Sequence, residues 1–328
     1  MNMKDWVLDL KNNKRNIPIL SFPVIQLMEC SLKEFLNNSS LQAEGMKIVS
    51  ERCHTGVGIG MMDLSIEAEC FGSNIRFEDN EIPTVMGALV EEDASDLEVP
   101  EVSKRALIYL DAISKAKQLM DKPIFPGMIG PFSLAGRLLE VSEALALCYE
   151  DPDLVHDVLE TATEFLIKYG KEFKKIGANG IIMAEPLAGI LSPTLVQEFS
   201  SDYVKRIVDE LQDDEFIVIY HNCGNNVLKM ADSIAVTGCY IYHFGNAIEL
   251  EEMIKKMPKD VLIMGNIDPV GVIKDGSISS VEKATLELLD KCAKYDNFVL
   301  SSGCDVPHSA PWDNIDTFIK TGNSYYEK

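Results

Sequence analysis

A histidine and a cysteine two positions apart, His221 and Cys223, close an apolar run of β-forming residues, Phe216-Ile217-Val218-Ile219-Tyr220. In an extended chain residues i and i+2 share a face, so both side chains can enter the same space at a strand end. Downstream, Phe298-Val299-Leu300-Ser301-Ser302-Gly303 empties into Cys304 in the same manner. One imidazole and two thiolates make a three-ligand zinc set that leaves the fourth tetrahedral position for a reacting group. Spacing alone leaves another meaning open, because a cysteine at a strand end is commonly a small buried hydrophobe and His-x-Cys recurs by chance.

Ligands this far apart in the chain need a scaffold that brings strand ends together. Short apolar runs at residues 17–21, 57–63, 123–131, 181–184, 216–224, 238–243, 261–264 and 298–302 read as strands. Helical periodicity fills the intervals, at 32–53, 102–120, 132–150, 151–176 (opened by Asp151-Pro152), a stretch ending at Leu211, 249–257 and 280–294. Strands alternating with helices predict a single parallel (β/α)8 barrel over residues 1–328, preceded by a short helix at 1–16. An insertion at 65–100 follows the second strand, with a small hairpin at 74–80 and an acidic loop of Glu91, Glu92, Asp93, Asp96, Glu98 and Glu101. In such barrels the reacting groups sit at the C-terminal ends of the strands. Asp63, Glu185, His221, Cys223, His243, Asn266, Asp268 and Cys304 all fall near those ends.

Composition excludes several functions. The 30 basic and 52 acidic residues leave a formal charge of -22, which repels nucleic acid and anionic lipid. Residues 17–28 form the most apolar early stretch, but it is short and broken by Pro18 and Pro23, so it cannot span a bilayer. Eight cysteines without regular short spacing, and no apolar leader, predict a reducing cytoplasm without disulfides. Cys30, Cys53, Cys70, Cys148, Cys239 and Cys292 are expected to be packing residues, and His54 and His156 ordinary surface or core imidazoles. Gly56, Gly58 and Gly60 suggest a dinucleotide fingerprint, yet Met61 stands where its third glycine belongs and no helix follows directly.

Six segments in order carry a family likeness: residues 63–72, Gly130-Pro131-Phe132-Ser133-Leu134-Ala135-Gly136, Glu185-Pro186, His221-Asn222-Cys223-Gly224, Gly265-Asn266-Ile267-Asp268-Pro269 and Ser302-Gly303-Cys304. In these the chain resembles the uroporphyrinogen decarboxylase superfamily, and within it the zinc-dependent methylcobamide:coenzyme M methyltransferase branch. The resemblance implies that His221, Cys223 and Cys304 bind Zn2+. It further implies a methyl donor, a methylcorrinoid carried by a separate corrinoid protein, and a thiol acceptor such as coenzyme M. That chemistry is coherent, since a free thiol is only a few per cent ionised at neutral pH and zinc coordination deprotonates it.

In that frame Glu185 and Asp268 become candidates for a reversible fourth ligand or a proton acceptor, with loop capping as the alternative. Gly127, Met128, Met183, His243 and Asn266 become candidates for substrate contact, with packing as the alternative for the glycine, and His308 stands close enough to Cys304 to join them. Two other functions compete. A tetrapyrrole decarboxylase would need the arginine-containing segment that the family's decarboxylases carry after the first strand; here that segment is Phe22-Pro23-Val24-Ile25-Gln26-Leu27-Met28-Glu29, without a cation. A non-catalytic corrinoid-binding barrel would have no use for an open zinc site. No basic residue stands out to meet a sulfonate, so the sequence leaves the acceptor open among coenzyme M, another thiol and a folate.

Overall fold

Short strands apolar on both faces are stable as a parallel sheet covered by helices. The computed structural model describes residues 1–327 and shows this arrangement as a (β/α)8 barrel. The strands are β1 (Gly58–Ile59), β2 (Asn74–Arg76), β3 (Thr84–Met86), β4 (Ile124–Phe125), β5 (Gly127–Ile129), β6 (Gly180–Ala184), β7 (Ile217–Asn222), β8 (Ile241–Phe244), β9 (Leu262–Ile267) and β10 (Phe298–Ser302). β5 to β10 form one parallel sheet in chain order, and β1 pairs in parallel with β4. β4 and β5 are halves of one strand interrupted at Pro126, whose carbonyl accepts from Ile182 N at 2.9 Å.

The expected first strand at 17–21 is present as an extended segment without a regular ladder. Ile17 N donates to Leu300 O at 2.9 Å, but Pro18 has no N–H to give and Ile19 N turns to Ser302 Oγ at 3.1 Å. The segment still contributes Ile17 and Ile19 to the barrel interior, alongside Ile59, Phe125, Ile182, Ile219, Ile241, Leu262 and Val299. The helix Met3–Asn12 plugs the N-terminal end of this core with Met3, Trp6, Val7 and Leu10, and Trp6 lies 5.3 Å from the Phe125 ring centre. Two residues beyond the inward-facing Ile219, Ile241 and Val299 stand His221, His243 and Ser301. The next layer of the barrel is therefore polar. No described helix is long and apolar enough to cross a membrane.

Element boundaries differ from the sequence expectation where a local signal interrupts the periodicity. The expected helix at 32–53 divides into Leu32–Leu36 and Ser39–Arg52, because the Asn38 carboxamide caps the second piece through Ser40 N and Leu41 N. The helix expected at 132–150 divides at Glu140, whose φ of 78° ends Pro131–Leu139 and whose carboxylate caps Val141–Glu150. The sixth strand begins at Ile241, since Gly238 turns the chain with φ +78°. The hairpin is wider than 74–80, with β2 antiparallel to β3 and Ile75 opposite Val85.

The insertion is anchored by buried charge. Asp63, 3% exposed, pairs with Arg105 and accepts from Ser65 Oγ at 2.6 Å and Tyr109 OH at 3.3 Å, so it holds the fold together and is not free for chemistry at the mouth. Glu67 beside it is 1% exposed; Ile129 N donates to its Oε1 at 3.0 Å, while Oε2 has no partner among the described residues. Burial pushes the Glu67 carboxyl from 4.5 up to about 7. A raised carboxyl contributes most below its unfolded value, and that contribution is lost as the pH climbs from about 4.5 to 7. Glu67→Gln is therefore expected to remove this slope and to be the more stable form at pH 8 by about 1–3 kcal/mol. Urea titrations at pH 5 and pH 8 measure it; a variant less stable than the native chain at pH 8 contradicts the argument.

Candidate metal centre

Parallel register places β7 and β8 so that His221 lies beside His243, while Cys223 follows β7 by one residue and Cys304 follows β10 by two. The three expected ligands converge at the C-terminal end of the barrel. The ligand atoms of His221, Cys223 and Cys304 all lie within 4.8 Å of one another, and His221 Nε2 is 3.5 Å from Cys304 Sγ. Ligand atoms on a tetrahedral zinc stand about 3.5–3.8 Å apart, given Zn–S and Zn–N bonds of about 2.3 and 2.0 Å. The donor set and spacing fit that ion. Among the described residues no other His, Cys, Asp or Glu joins the group, so a tetrahedral ion held there would have a position left for a small molecule.

Close backbone contacts hold the turn that carries Cys223. A Cβ on Gly245 would fall 2.6 Å from Cys223 Cβ, and one on Gly224 would fall 2.4 Å from Gly189 Cα. Glycine at these positions lets the loops after β6 and β8 close directly onto the ligand turn. The two thiols share their protons unequally. The hydrogen bond with Cys304 and the nearby His221 pull Cys223 well below the ordinary thiol value, and the Cys223 sulfur pushes Cys304 up. The pair gives up one proton readily and the second reluctantly, as coupled groups do.

Behind the cluster, His221 Nδ1 lies 2.7 Å from His243 Nδ1, and His243 Nε2 lies 2.9 Å from Ser301 Oγ. His243 is fully buried and borders the apolar interior with Trp6, Ile219 and Met264. Burial, then the proximity of His221, holds it neutral, well below the ordinary imidazole value. It faces the barrel core, away from the mouth, so substrate contact is not where the structure puts it.

The other expected site residues scatter. Glu185 is fully buried, and its carboxylate accepts from Phe132 N at 2.7 Å, Ser133 N at 2.9 Å and Ser200 Oγ at 3.0 Å. Burial raises its pKa against those hydrogen bonds, and it staples the loop after β6 to the N-terminus of Pro131–Leu139. Ser200 reaches it from a π turn, Gln197–Ser201, set within the helix expected before Leu211. Asp268 caps Pro269–Lys274 through Val270 N and Gly271 N, both at 2.9 Å. For both carboxylates the capping alternative describes the contacts made. Asn266 donates to Gly245 O and Ile248 O, securing the loop that abuts Cys223.

Met128 and Met183 are paired in register and point outward into the helix-facing core, as the inward orientation of Ile182 requires. Gly127 packs on Met61, where a Cβ would fall 2.5 Å from its carbonyl oxygen. Cys53, Cys70, Cys148, Cys239 and Cys292 are buried and Cys30 half-buried, all outside the cluster, as is the half-buried His308. His54 is exposed, and His156 Nδ1 lies 2.7 Å from Tyr203 OH. Ser301 and Gly245 escaped the sequence reasoning. The alternation from Val299 signals the first; nothing local signals the second.

Comparison with known proteins adds three findings. The family described as uroporphyrinogen decarboxylase (URO-D) matches residues 24–325. A methylcobamide:CoM methyltransferase, MtbA of Methanosarcina acetivorans, is 26% identical over 297 residues, covering 86% of this chain and 85% of the relative. A uroporphyrinogen decarboxylase of Wigglesworthia glossinidia brevipalpis is 24% identical over 320 residues, covering 92% and 88%. Among solved structures, a methyltransferase from Methanosarcina mazei superimposes with a TM-score of 0.87 over 99% of both chains at 21% identity, which shows a shared fold.

Proposed function

The chain belongs to the uroporphyrinogen decarboxylase (URO-D) family, and on that premise we propose that it is a zinc-dependent methyltransferase carrying a methyl group from a protein-bound methylcorrinoid to a thiol such as coenzyme M. One observation carries the proposal: His221, Cys223 and Cys304 converge within 4.8 Å at the end of the barrel where catalysis is housed. The likeness to MtbA of M. acetivorans supports it, because that relative is named for this chemistry. Zinc held there would lower the pKa of an acceptor thiol and present it as a thiolate, a far better nucleophile toward a methyl group than the thiol.

The chain's own residues account for the rest. Two cysteine sulfurs supply negative charge and one neutral imidazole supplies none, so the centre keeps electron density for its acceptor. Asn266 and Gly245 hold the Cys223 turn in place, and Glu185 fixes the neighbouring loop, so the open coordination position is pre-organised. Residues 1–328 act as one domain in this proposal, with the insertion following β1. The direct test is incubation of the zinc-loaded protein with methylcobalamin and a panel of thiols. The expected result is a thiol-dependent change in corrinoid absorbance with an S-methylated product; a corrinoid spectrum unchanged by every thiol contradicts the proposal.

A further inference from the structure

We propose that His243, backed by Ser301, is a positioning residue that holds His221 in the one tautomer able to bind a metal through Nε2. The inference rests on the zinc reading of His221, Cys223 and Cys304. Its starting point is the 2.7 Å separation of His221 Nδ1 and His243 Nδ1, a hydrogen-bond distance that requires one nitrogen to carry the proton and the other to offer its lone pair. If His221 Nδ1 donates, its Nε2 is left with a free lone pair directed at the space beside Cys304 Sγ, 3.5 Å away. The reverse assignment puts a proton on His221 Nε2 and closes that position to a metal. His243 Nδ1 is then the acceptor, and its own proton sits on Nε2, which is 2.9 Å from Ser301 Oγ. A row of three side chains on three strands thus reads as two donations in one direction, from His221 to His243 to Ser301.

The row is built by the barrel. His221 and His243 are register partners on adjacent parallel strands, and Ser301 follows the inward-facing Val299 by two residues on β10. Both imidazoles are buried, His221 at 2% and His243 at 0%, so solvent does not compete for the ring nitrogens. Metal-binding histidines commonly donate their second N–H to a carboxylate, a carbonyl or water. Here the acceptor is a neutral imidazole, and no carboxylate contacts either ring among the described hydrogen bonds. The charge of the centre is then set by its two sulfurs, without an added negative group behind the histidine.

The test uses zinc affinity and nitrogen NMR. In zinc-loaded protein with 15N-labelled histidine, His221 is expected to be protonated at Nδ1, and His243 at Nε2 with a bare Nδ1. Chelator competition is expected to show zinc held about 10–100-fold more weakly by His243→Leu, the usual cost of deleting such a partner. His243→Asn should recover most of that loss, because its carboxamide oxygen lies where Nδ1 was. Unchanged zinc affinity in His243→Leu overturns the inference, as does a proton on His243 Nδ1 in the native zinc form. If His243→Leu does not fold, the native proton assignment together with the affinity of His243→Asn decides. A native chain that binds no zinc removes the metal centre itself, an outcome distinct from a native chain that binds zinc tightly without help from His243.

Discussion

Cys304→Ala is expected to lose most of the bound zinc and to slow methyl transfer with it, while the fold survives. The native chain should carry about one zinc, held by three side chains that already stand within 4.8 Å of one another. Removing one thiolate leaves two protein ligands and a further open position, below the three that catalytic zinc sites use. The cost falls on function because Cys304 lies beyond the end of β10, in a loop, and its sulfur belongs to the cluster and not to the apolar core. The rate deficit has a pH signature. If the metal serves to ionise the acceptor, the variant depends on the few per cent of thiolate present at pH 7, and its deficit shrinks as the pH approaches the free thiol value of about 8.5. Metal analysis and rate measurements from pH 6.5 to 8.5 check both parts. Stoichiometric zinc in a Cys223→Ala, Cys304→Ala double variant would falsify the assignment of the site.

The second large effect is an absence. Uroporphyrinogen, with eight carboxylates, is expected not to be decarboxylated, although the chain belongs to the family named for that reaction. The segment after the first strand tucks Phe22, Val24 and Ile25 into the core and turns Gln26, Leu27 and Glu29 to solvent, with no cation among them. In the insertion Arg76 is engaged by Glu78 and Glu81, and Arg105, at the start of the helix that follows it, by Asp63 and Glu69. A polyanion approaching a chain of formal charge -22 meets repulsion, and among the described residues the half-buried Arg137 is the only arginine without an ion pair, one cation against eight carboxylates. Product analysis by chromatography measures this. Turnover at an ordinary enzymatic rate, on the order of 1 per second or more, would reverse the ranking of the two activities.

Much of the molecule is legible in its sequence because the governing signals are local. The period-two pattern of Ile217, Ile219 and His221 lies within one strand and can be read without a partner. So can the placement of Cys223 and Cys304 just past apolar runs, which admits a metal site; the family resemblance, and not the spacing, favours ligands over buried packing cysteines. Breaks at Asn38 and Glu140 were less legible, since capping competes with a helical periodicity that continues on both sides. At 17–21 the strand pattern was correct but the ladder was not, because Pro18 withholds a donor.

What the tertiary structure decided concerns partners on different elements. Glu185 and the Gly130-Pro131-Phe132-Ser133 segment are separate signals in the sequence, and only the fold shows the carboxylate seated on the N–H groups of Phe132 and Ser133. His243 resembled a substrate contact at a strand end until register set it against His221 and the barrel turned it toward Ser301. Met128 and Met183 looked equally well placed until the inward orientation of Ile182 turned them outward. The physical reason is common to all three. Periodicity fixes which face of a strand a side chain occupies, but register and barrel closure, which depend on every strand at once, fix what that face meets.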